Sequence, residues 1–133
     1  MPTQIFVNLP VKDLPKAKEF FTEVGFSFDP RFEDANAACM IIDADKYVML
    51  LVEPFFKTFV KNEIADTSTH TESILALGVD SRERVDELFA RAIAAGGRHS
   101  RETDDESPMY GRSFLDLDGH LWEVFHLDPA AVQ

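Results

Sequence analysis

The residue whose chemistry most needs an explanation is Glu123, a carboxylate within an apolar run near the end of the chain. Apolar runs at Ser113–Leu117 and Leu121–Phe125 flank an Asp-Gly pair. This pattern predicts a β-hairpin, because Gly supplies the positive φ that the turn requires. Side chains alternate along a strand, so Glu123 shares one face with Leu121 and Phe125. Burying a carboxylate there costs on the order of several kcal/mol unless the carboxylate is paired.

Two interpretations of Glu123 follow from this position. In the first, the carboxylate is structural and is hydrogen-bonded to Tyr110, to Arg112 or to a cavity water. In the second, it is a ligand-recognition group or general base in an apolar pocket, where desolvation would raise its pKa. Arg112 is the candidate for holding an anionic ligand, because its planar guanidinium binds a carboxylate or phosphate with two hydrogen bonds. An exposed surface arginine is the alternative.

The other titratable residues suggest no second site. His120 follows the glycine of the hairpin, and we expect it to serve the turn structurally. Cys39, the only cysteine, lies in the apolar run Ala37–Ile42, which predicts a small buried side chain. We find no nucleophile–base–acid triad, glycine-rich phosphate loop or Cys/His zinc cluster in the sequence.

Composition limits the partners. The 133 residues carry 24 acidic and 13 basic side chains, for a formal net charge of −11. Such a surface repels phosphate backbones and anionic lipid, so binding to nucleic acid or to a membrane surface is not expected. The first residues lack the basic and apolar regions of a signal peptide. We therefore expect a soluble cytoplasmic protein.

The first half of the chain reads as β-α-β-β-β. Ile5–Val11 alternates as a strand, and a helix runs from the N-cap Asp13 to Gly25. Three further strands and a short helix are predicted after it, at Ser27–Phe32, Ala37–Ile42, Tyr47–Val52 and Pro54–Ile64.

The second half repeats this order. A strand at Ile74–Val79 leads into a helix that starts at Ser81. The short strand Arg98–Arg101, the acidic loop Glu102–Pro108 and the hairpin complete the second module. We expect one domain built by internal duplication, with modules at 1–64 and 73–133 and a linker at 65–72.

Two stretches of the sequence resemble those of a known superfamily. They are Val11-Lys12-Asp13-Leu14, leading into Phe20-Phe21 and Gly25-Phe26, and the closing Asp116-Leu117-Asp118-Gly119-His120-Leu121-Trp122-Glu123. Together with the paired modules, they are similar to the vicinal oxygen chelate superfamily, which includes glyoxalase I, bleomycin- and fosfomycin-resistance proteins and extradiol dioxygenases. The resemblance implies an α+β fold in which two βαβββ modules form a cupped mixed sheet around a central cavity. It also implies a homodimer.

In metal-dependent members, ligands come from the first and last strands of each module. Transferred residue by residue, this pattern keeps only Glu123. The other three positions fall on Phe6, Leu50 and Ile74, whose side chains cannot coordinate a metal. We therefore predict no cofactor. A slipped site of Asn8, Glu72 and Glu123 is the metal-binding alternative, because Asn8 and Glu72 keep the strand parity of Phe6 and Ile74.

Three functions remain open at this point. The first is a binder of the bleomycin-resistance type, holding an aromatic or cationic small molecule in an apolar cavity. The second is a divalent-metal-dependent lyase, transferase or dioxygenase of the glyoxalase kind, with Glu123 as its catalytic and metal-binding residue. The third is an interaction module with a vestigial cavity. The residues expected to contact a ligand are Phe6, Asn8, Leu50, Ile74, Tyr110, Arg112, Glu123 and Phe125.

Overall fold

Each half of the chain folds around its own four-stranded sheet. The structure is a computed structural model that describes residues 2–101 and 108–128. The chain divides into two compact units, Met1–Ala65 and Asp66–Gln133. The acidic loop expected at Glu102–Pro108 falls almost wholly outside the described residues.

In the first unit, the sheet has the strand order β1-β4-β3-β2. Strands β1 and β4 are parallel, and the other neighbours are antiparallel. The elements, in chain order, are β1 (Ile5–Val11), α1 (Leu14–Val24), β2 (Ser27–Phe28), a 3₁₀ turn (Pro30–Phe32), β3 (Ala37–Asp43), β4 (Lys46–Val52) and α2 (Glu53–Lys57).

The second unit repeats this topology with the strand order β5-β8-β7-β6. Again the first and last strands are parallel neighbours. Its elements are β5 (Ile74–Gly78), α3 (Arg82–Ala94), β6 (Arg98–His99), β7 (Met109–Leu115) and β8 (Leu121–Leu127). The predicted α+β class with two βαβββ modules is confirmed.

Side-chain caps begin both long helices. The Asp13 carboxylate accepts a hydrogen bond from the backbone N–H of Lys16 at 3.0 Å. The Ser81 hydroxyl does the same for Arg84 at 3.1 Å. Each cap satisfies one of the N–H groups that a helix start leaves without a partner.

The core of the first unit lies between α1 and one face of the sheet. Leu9, Leu50 and Ala38 stand side by side in the register of three strands, and all three are buried. Phe20 and Phe21 of α1 are also buried and pack edge to face, with ring centroids 4.9 Å apart. Full burial of one such apolar side chain contributes about 1.5–3 kcal/mol, so this layer holds α1 on the sheet.

Several predicted elements were wrong in extent. The short helix predicted at Pro54–Ile64 runs only from Glu53 to Lys57, and the strand predicted at Arg98–Arg101 ends at His99. The strand predicted at Ser27–Phe32 ends at Phe28, because Asp29 accepts a hydrogen bond from the Arg31 N–H at 3.0 Å and caps a 3₁₀ turn. The hairpin strand predicted to reach Leu117 ends at Leu115. A five-residue connection, and not a two-residue turn, joins β7 to β8.

Cys39 is buried, as predicted, and burial raises the pKa of its thiol.

No helix in the described part of the chain is long and apolar enough to cross a membrane.

Candidate functional site

Glu123 lies on the face of the second sheet that α3 does not cover. Helix α3 packs on β7 and β8, and Trp122 and Val124 on its side of β8 are fully buried. Alternation along β8 turns Glu123 to the opposite side. We call this side the open face. The Glu123 side chain retains 23% of its accessible surface there.

The neighbours of Glu123 leave a pocket in front of its carboxylate. In the strand register, Glu123 stands between Ser113 of β7 and Ala76 of β5. A methyl group on one side and a hydroxymethyl group on the other occupy little space. The resulting pocket has a volume of about 230 Å³ and is lined by Ile74, Ser100, Arg101, Ser113, Leu121 and Glu123. We call it the Glu123 pocket.

Arg101 is the charged partner of Glu123. Its Nη2 lies 3.8 Å from Glu123 Oε2, which is within ion-pair range but too long for a hydrogen bond. The backbone is fixed more tightly, because the Arg101 N–H donates to Ser113 Oγ at 3.3 Å and the Ser100 N–H donates to the Ser113 carbonyl at 3.2 Å. Sequence reasoning missed Arg101. Its only sequence signal was the predicted edge strand Arg98–Arg101, and nothing in that strand fixed the register that brings it to Ser113.

The side chains of Tyr110 and Arg112 lie on the opposite face of the sheet from Glu123. In the register they stand opposite His126 and Val124, on the side of the sheet that α3 covers. There the Tyr110 hydroxyl donates to Asp86 Oδ1 at 2.6 Å, and Arg112 Nη2 donates to the Tyr110 hydroxyl at 2.8 Å. The expected hydrogen bond from either side chain to Glu123 is therefore corrected: strand parity places both on the other face.

Glu72 and His120 form a separate pair at the turn. His120 is buried, and its Nδ1 lies 2.7 Å from Glu72 Oε1. The His120 backbone N–H donates to Asp116 Oδ1 at 3.0 Å. Both contacts hold the β7–β8 connection in place, which fits the structural role predicted for His120. They also engage the carboxylate that the slipped metal site would require.

Phe6 and Asn8 lie on the face of the first sheet that is opposite to α1. The Phe6 ring stacks on Tyr47 with centroids 4.8 Å apart. Asn8 lines an apolar pocket of about 380 Å³, together with Leu51, Phe56, Phe59 and Val60. Leu50 points the other way, into the layer under α1, where it is completely buried. Of the positions assigned to a ligand in this unit, the structure brings Phe6 and Asn8 to one face and leaves Leu50 out.

Phe125 and Ile74 lie on the open face of the second sheet. The Phe125 ring covers Gly78, where an added Cβ would stand 3.2 Å from Phe125 Cζ. Ile74 is 61% exposed and forms a wall of the Glu123 pocket. The predicted apolar surroundings of Glu123 are therefore present on this face.

The donor set does not fit a chelated metal. Among residues 2–101 and 108–128, no group of three or more His, Cys, Asp or Glu side chains is placed to hold a metal ion. Among the described residues, the charged group beside the Glu123 carboxylate is the guanidinium of Arg101. A cation site built from one carboxylate beside a fixed positive charge lacks the several N or O ligands that give affinity.

Comparison with known proteins identifies this fold. Residues 3–43 match a family model described as bleomycin resistance protein-like N-terminal. No curated protein matches the sequence. Hypothetical protein SA1046 from S. aureus is 28% identical, with a TM-score of 0.79 and 95% of both chains covered.

Two further solved structures are similar across nearly the whole chain. A glyoxalase/bleomycin resistance protein/dioxygenase family enzyme from Burkholderia phytofirmans PsJN is 17% identical, with a TM-score of 0.78, covering 96% of this chain and 100% of that one. The fosfomycin resistance protein FosX from Listeria monocytogenes, solved with Mn(II) and sulfate, is 20% identical, with a TM-score of 0.70 and coverage of 97% and 93%. The chain has the glyoxalase/bleomycin-resistance fold, and the fold that the resemblance implies is confirmed.

Proposed function

We propose that this chain of the glyoxalase/bleomycin-resistance fold binds a small molecule in the Glu123 pocket without a complete metal site. The observation that carries the proposal is the position of Glu123. Its carboxylate opens into a walled pocket of about 230 Å³, and it has no hydrogen bond to any described residue. A pocket that combines apolar walls with a few polar groups is the usual form of a small-molecule site.

The charge of the whole chain supports the approach of a cationic group. A net charge of −11 attracts cations toward the surface. Within the pocket, Glu123 supplies the carboxylate that an ammonium or amidinium group would pair with. A charge-assisted hydrogen bond of this kind is shorter and stronger than a neutral one.

Calorimetric titration of chelator-treated protein tests the proposal. The probes are benzamidine and phenethylamine, each a small cation with an aromatic ring. We expect saturable binding of at least one probe at one molecule per chain. Glu123→Gln should weaken that binding about tenfold or more, because a hydrogen bond to a charged group contributes about 1.5–3 kcal/mol.

The matched control is Glu19→Gln, which removes one negative charge from an exposed position on α1. This variant should bind like the wild type. Equal weakening in both variants would show that only the overall charge matters. Unchanged binding in Glu123→Gln would return Glu123 to its structural interpretation.

A glyoxalase-type metalloenzyme using Glu123 is the second candidate. The position of Glu123 on the open face of the last strand favours it, since that is the position at which the resemblance places a metal ligand. Stripped protein would be titrated with nickel, manganese, zinc, cobalt and iron(II). A specific ion at 100 times its dissociation constant should stabilise the fold by about 2.7 kcal/mol, seen as a raised unfolding midpoint. Such a shift at one ion per chain would favour the enzyme over the binder.

The resemblance also supports a cytoplasmic homodimer. The large apolar side chain of Ile5 on the first strand is 57% exposed in the single chain, and such surface is commonly covered in an assembly. Light scattering coupled to size exclusion should give twice the mass of one chain. A mass of one chain would contradict the dimer.

A further inference from the structure

We propose that the Glu123 pocket selects a small zwitterion, with an ammonium group and a carboxylate on neighbouring atoms and an apolar side chain. An apolar α-amino acid is the simplest member of this class. The inference rests on the proposed function and deepens it. The juxtaposition of Arg101 and Glu123 above two serines and beside two apolar side chains carries it.

Arg101 and Glu123 form an ion pair in the pocket, but no hydrogen bond joins their side chains. The 3.8 Å between Arg101 Nη2 and Glu123 Oε2 exceeds hydrogen-bond length. Neither side chain makes a hydrogen bond to another described residue. Among residues 2–101 and 108–128, the five N–H donors of Arg101 and the lone pairs of the Glu123 carboxylate have no hydrogen-bond partner.

A zwitterion complements this pair better than a ligand with one charge. A lone amine placed on Glu123 would lie close to the Arg101 guanidinium, and a lone carboxylate placed on Arg101 would lie close to Glu123. Like charges a few ångströms apart repel in a partly buried site. A ligand with both charges pairs each group of the protein with an opposite partner. Its ammonium binds Glu123, and its carboxylate binds the planar fork of Arg101.

The backbone presents Arg101 in a fixed position, although its side chain is 75% exposed. Hydrogen bonds from the N–H groups of Ser100 and Arg101 to Ser113 extend the pairing of the edge strand as far as Arg101. The donor fork therefore starts from a defined point at the rim of the pocket. In the structure the guanidinium lies at the mouth of the pocket, 3.8 Å from Glu123 Oε2.

The walls set the character of the ligand side chain. Ile74 and Leu121 present apolar surface, and the methyl group of Ala76 leaves room beside Glu123. An aliphatic or aromatic side chain would bury the exposed surface of Ile74, with a gain of about 25 cal/mol per Å² of apolar surface. A volume of about 230 Å³ admits a ligand of amino-acid size.

The test compares one zwitterion with its two single-charge analogues. L-Leucine, 3-methylbutylamine and 4-methylpentanoate share the same branched chain and differ only in the charged groups. Calorimetric titration of the full chain should show L-leucine binding at least about tenfold tighter than either analogue, because each analogue gives up one charge-assisted hydrogen bond.

Two variants separate the charges. In Arg101→Gln, L-leucine should bind no better than 3-methylbutylamine. In Glu123→Gln, it should bind no better than 4-methylpentanoate. Arg98→Gln is the control, because Arg98 is exposed on the same edge strand and does not line the pocket. It should keep the wild-type preference. Circular dichroism melts of each variant confirm that the fold is retained.

The outcomes distinguish the two proposals. If 3-methylbutylamine binds as tightly as L-leucine, and binding depends on Glu123 alone, the zwitterion inference is overturned and the proposed function stands. If L-leucine is preferred and Arg101→Gln leaves that preference unchanged, the role of Arg101 is overturned. If L-leucine, its analogues and the aromatic cations all fail to bind, both proposals are overturned.

Discussion

At the scale of single residues, Asp116 concentrates the polar chemistry of the β7–β8 connection. Its Oδ1 accepts hydrogen bonds from the backbone N–H groups of Asp118 and His120 at 2.9 and 3.0 Å, and its Oδ2 accepts one from Trp122 Nε1 at 2.9 Å. Burial raises the pKa of the Asp116 carboxyl, although these donors and His120 lower it. The carboxyl shapes the turn and anchors the most deeply buried large side chain of the second unit.

Asp116→Asn should therefore lower the free energy of unfolding by about 1–3 kcal/mol at neutral pH. The amide keeps one oxygen for the turn but presents its N–H group to Trp122 Nε1–H, which leaves a buried donor without an acceptor. Urea unfolding measures the change. Asp43→Asn is the control: Asp43 is exposed and accepts from the Ala44 N–H with a single oxygen that asparagine retains. That variant should stay within about 0.5 kcal/mol of wild type.

The same residue predicts a dependence on pH. A carboxyl whose pKa is raised on folding binds its proton more tightly in the folded chain. Its contribution to stability is therefore fully present below the ordinary value of 3.8 and is lost as the pH rises through the raised pKa. The side chain in Asp116→Asn cannot titrate, so the stability of wild type relative to this variant should be largest near pH 3.8 and should shrink toward neutral pH. A difference that grows with pH would contradict the assignment.

At the scale of elements, the β7–β8 connection depends on one glycine and one threonine. Gly119 has φ +81°, and an added Cβ would lie 2.5 Å from Thr67 Oγ1. The same Thr67 hydroxyl donates to the Asp118 carbonyl at 2.5 Å. The segment that enters the second unit is thus fixed to the turn that precedes the strand carrying Glu123.

Gly119→Ala should cost about 1–2 kcal/mol for left-handed backbone strain. It should cost about 0.5–1.5 kcal/mol more if the displaced Thr67 loses its hydrogen bond. Gly96→Ala is the matched control, since Gly96 has φ +112° and its nearest neighbour is the movable end of Leu117 at 3.2 Å. Chemical denaturation should find Gly119→Ala the more damaging of the two. Equal losses would show that the Thr67 contact contributes nothing.

The elements also show what a single sequence reveals. Strand β1 and both long helices were predictable, because their apolar spacing and caps are local signals. The sequence does not predict which side chains of β4 point toward α1. Its Val48–Val52 run is apolar throughout, and a period of two cannot be recognised where polar and apolar residues do not alternate. The resemblance assigned Leu50 to a ligand position, and no alternation in this run contradicted that assignment, although Leu50 packs under α1.

Arg101 was missed for a related reason. Its meeting with Glu123 depends on how the two-residue strand β6 pairs with β7, and a short edge strand has too few side chains to specify a register. Tyr110 and Arg112 were placed beside Glu123 by nearness along the chain, while the pairing of β7 with β8 puts them on the opposite face. The local sequence pattern therefore placed Glu123 on its strand, but the identity of its charged partner depended on how β6 and β8 pair with β7.

At the scale of the whole molecule, the net charge of −11 should act on every ligand before it reaches a pocket. The association rate constant of 3-methylbutylamine should fall as sodium chloride rises from about 0.01 to about 1 M, because the Debye length shrinks from about 30 to about 3 Å. The rate for 4-methylpentanoate should rise, and that for L-leucine, which has no net charge, should stay nearly constant. Stopped-flow mixing gives the three rates. Identical salt dependence for all three would show that the global charge does not steer binding.

The burial of Cys39 gives the first unit a built-in reporter. It is the only thiol in the chain. It is buried in the first sheet, with 1% of its surface exposed. A thiol reagent reaches Cys39 only when the structure around it opens, so the labelling rate measures opening events at β3 of the first unit. The alkylation rate of the wild-type protein would therefore measure how often the structure around Cys39 opens, without an engineered probe.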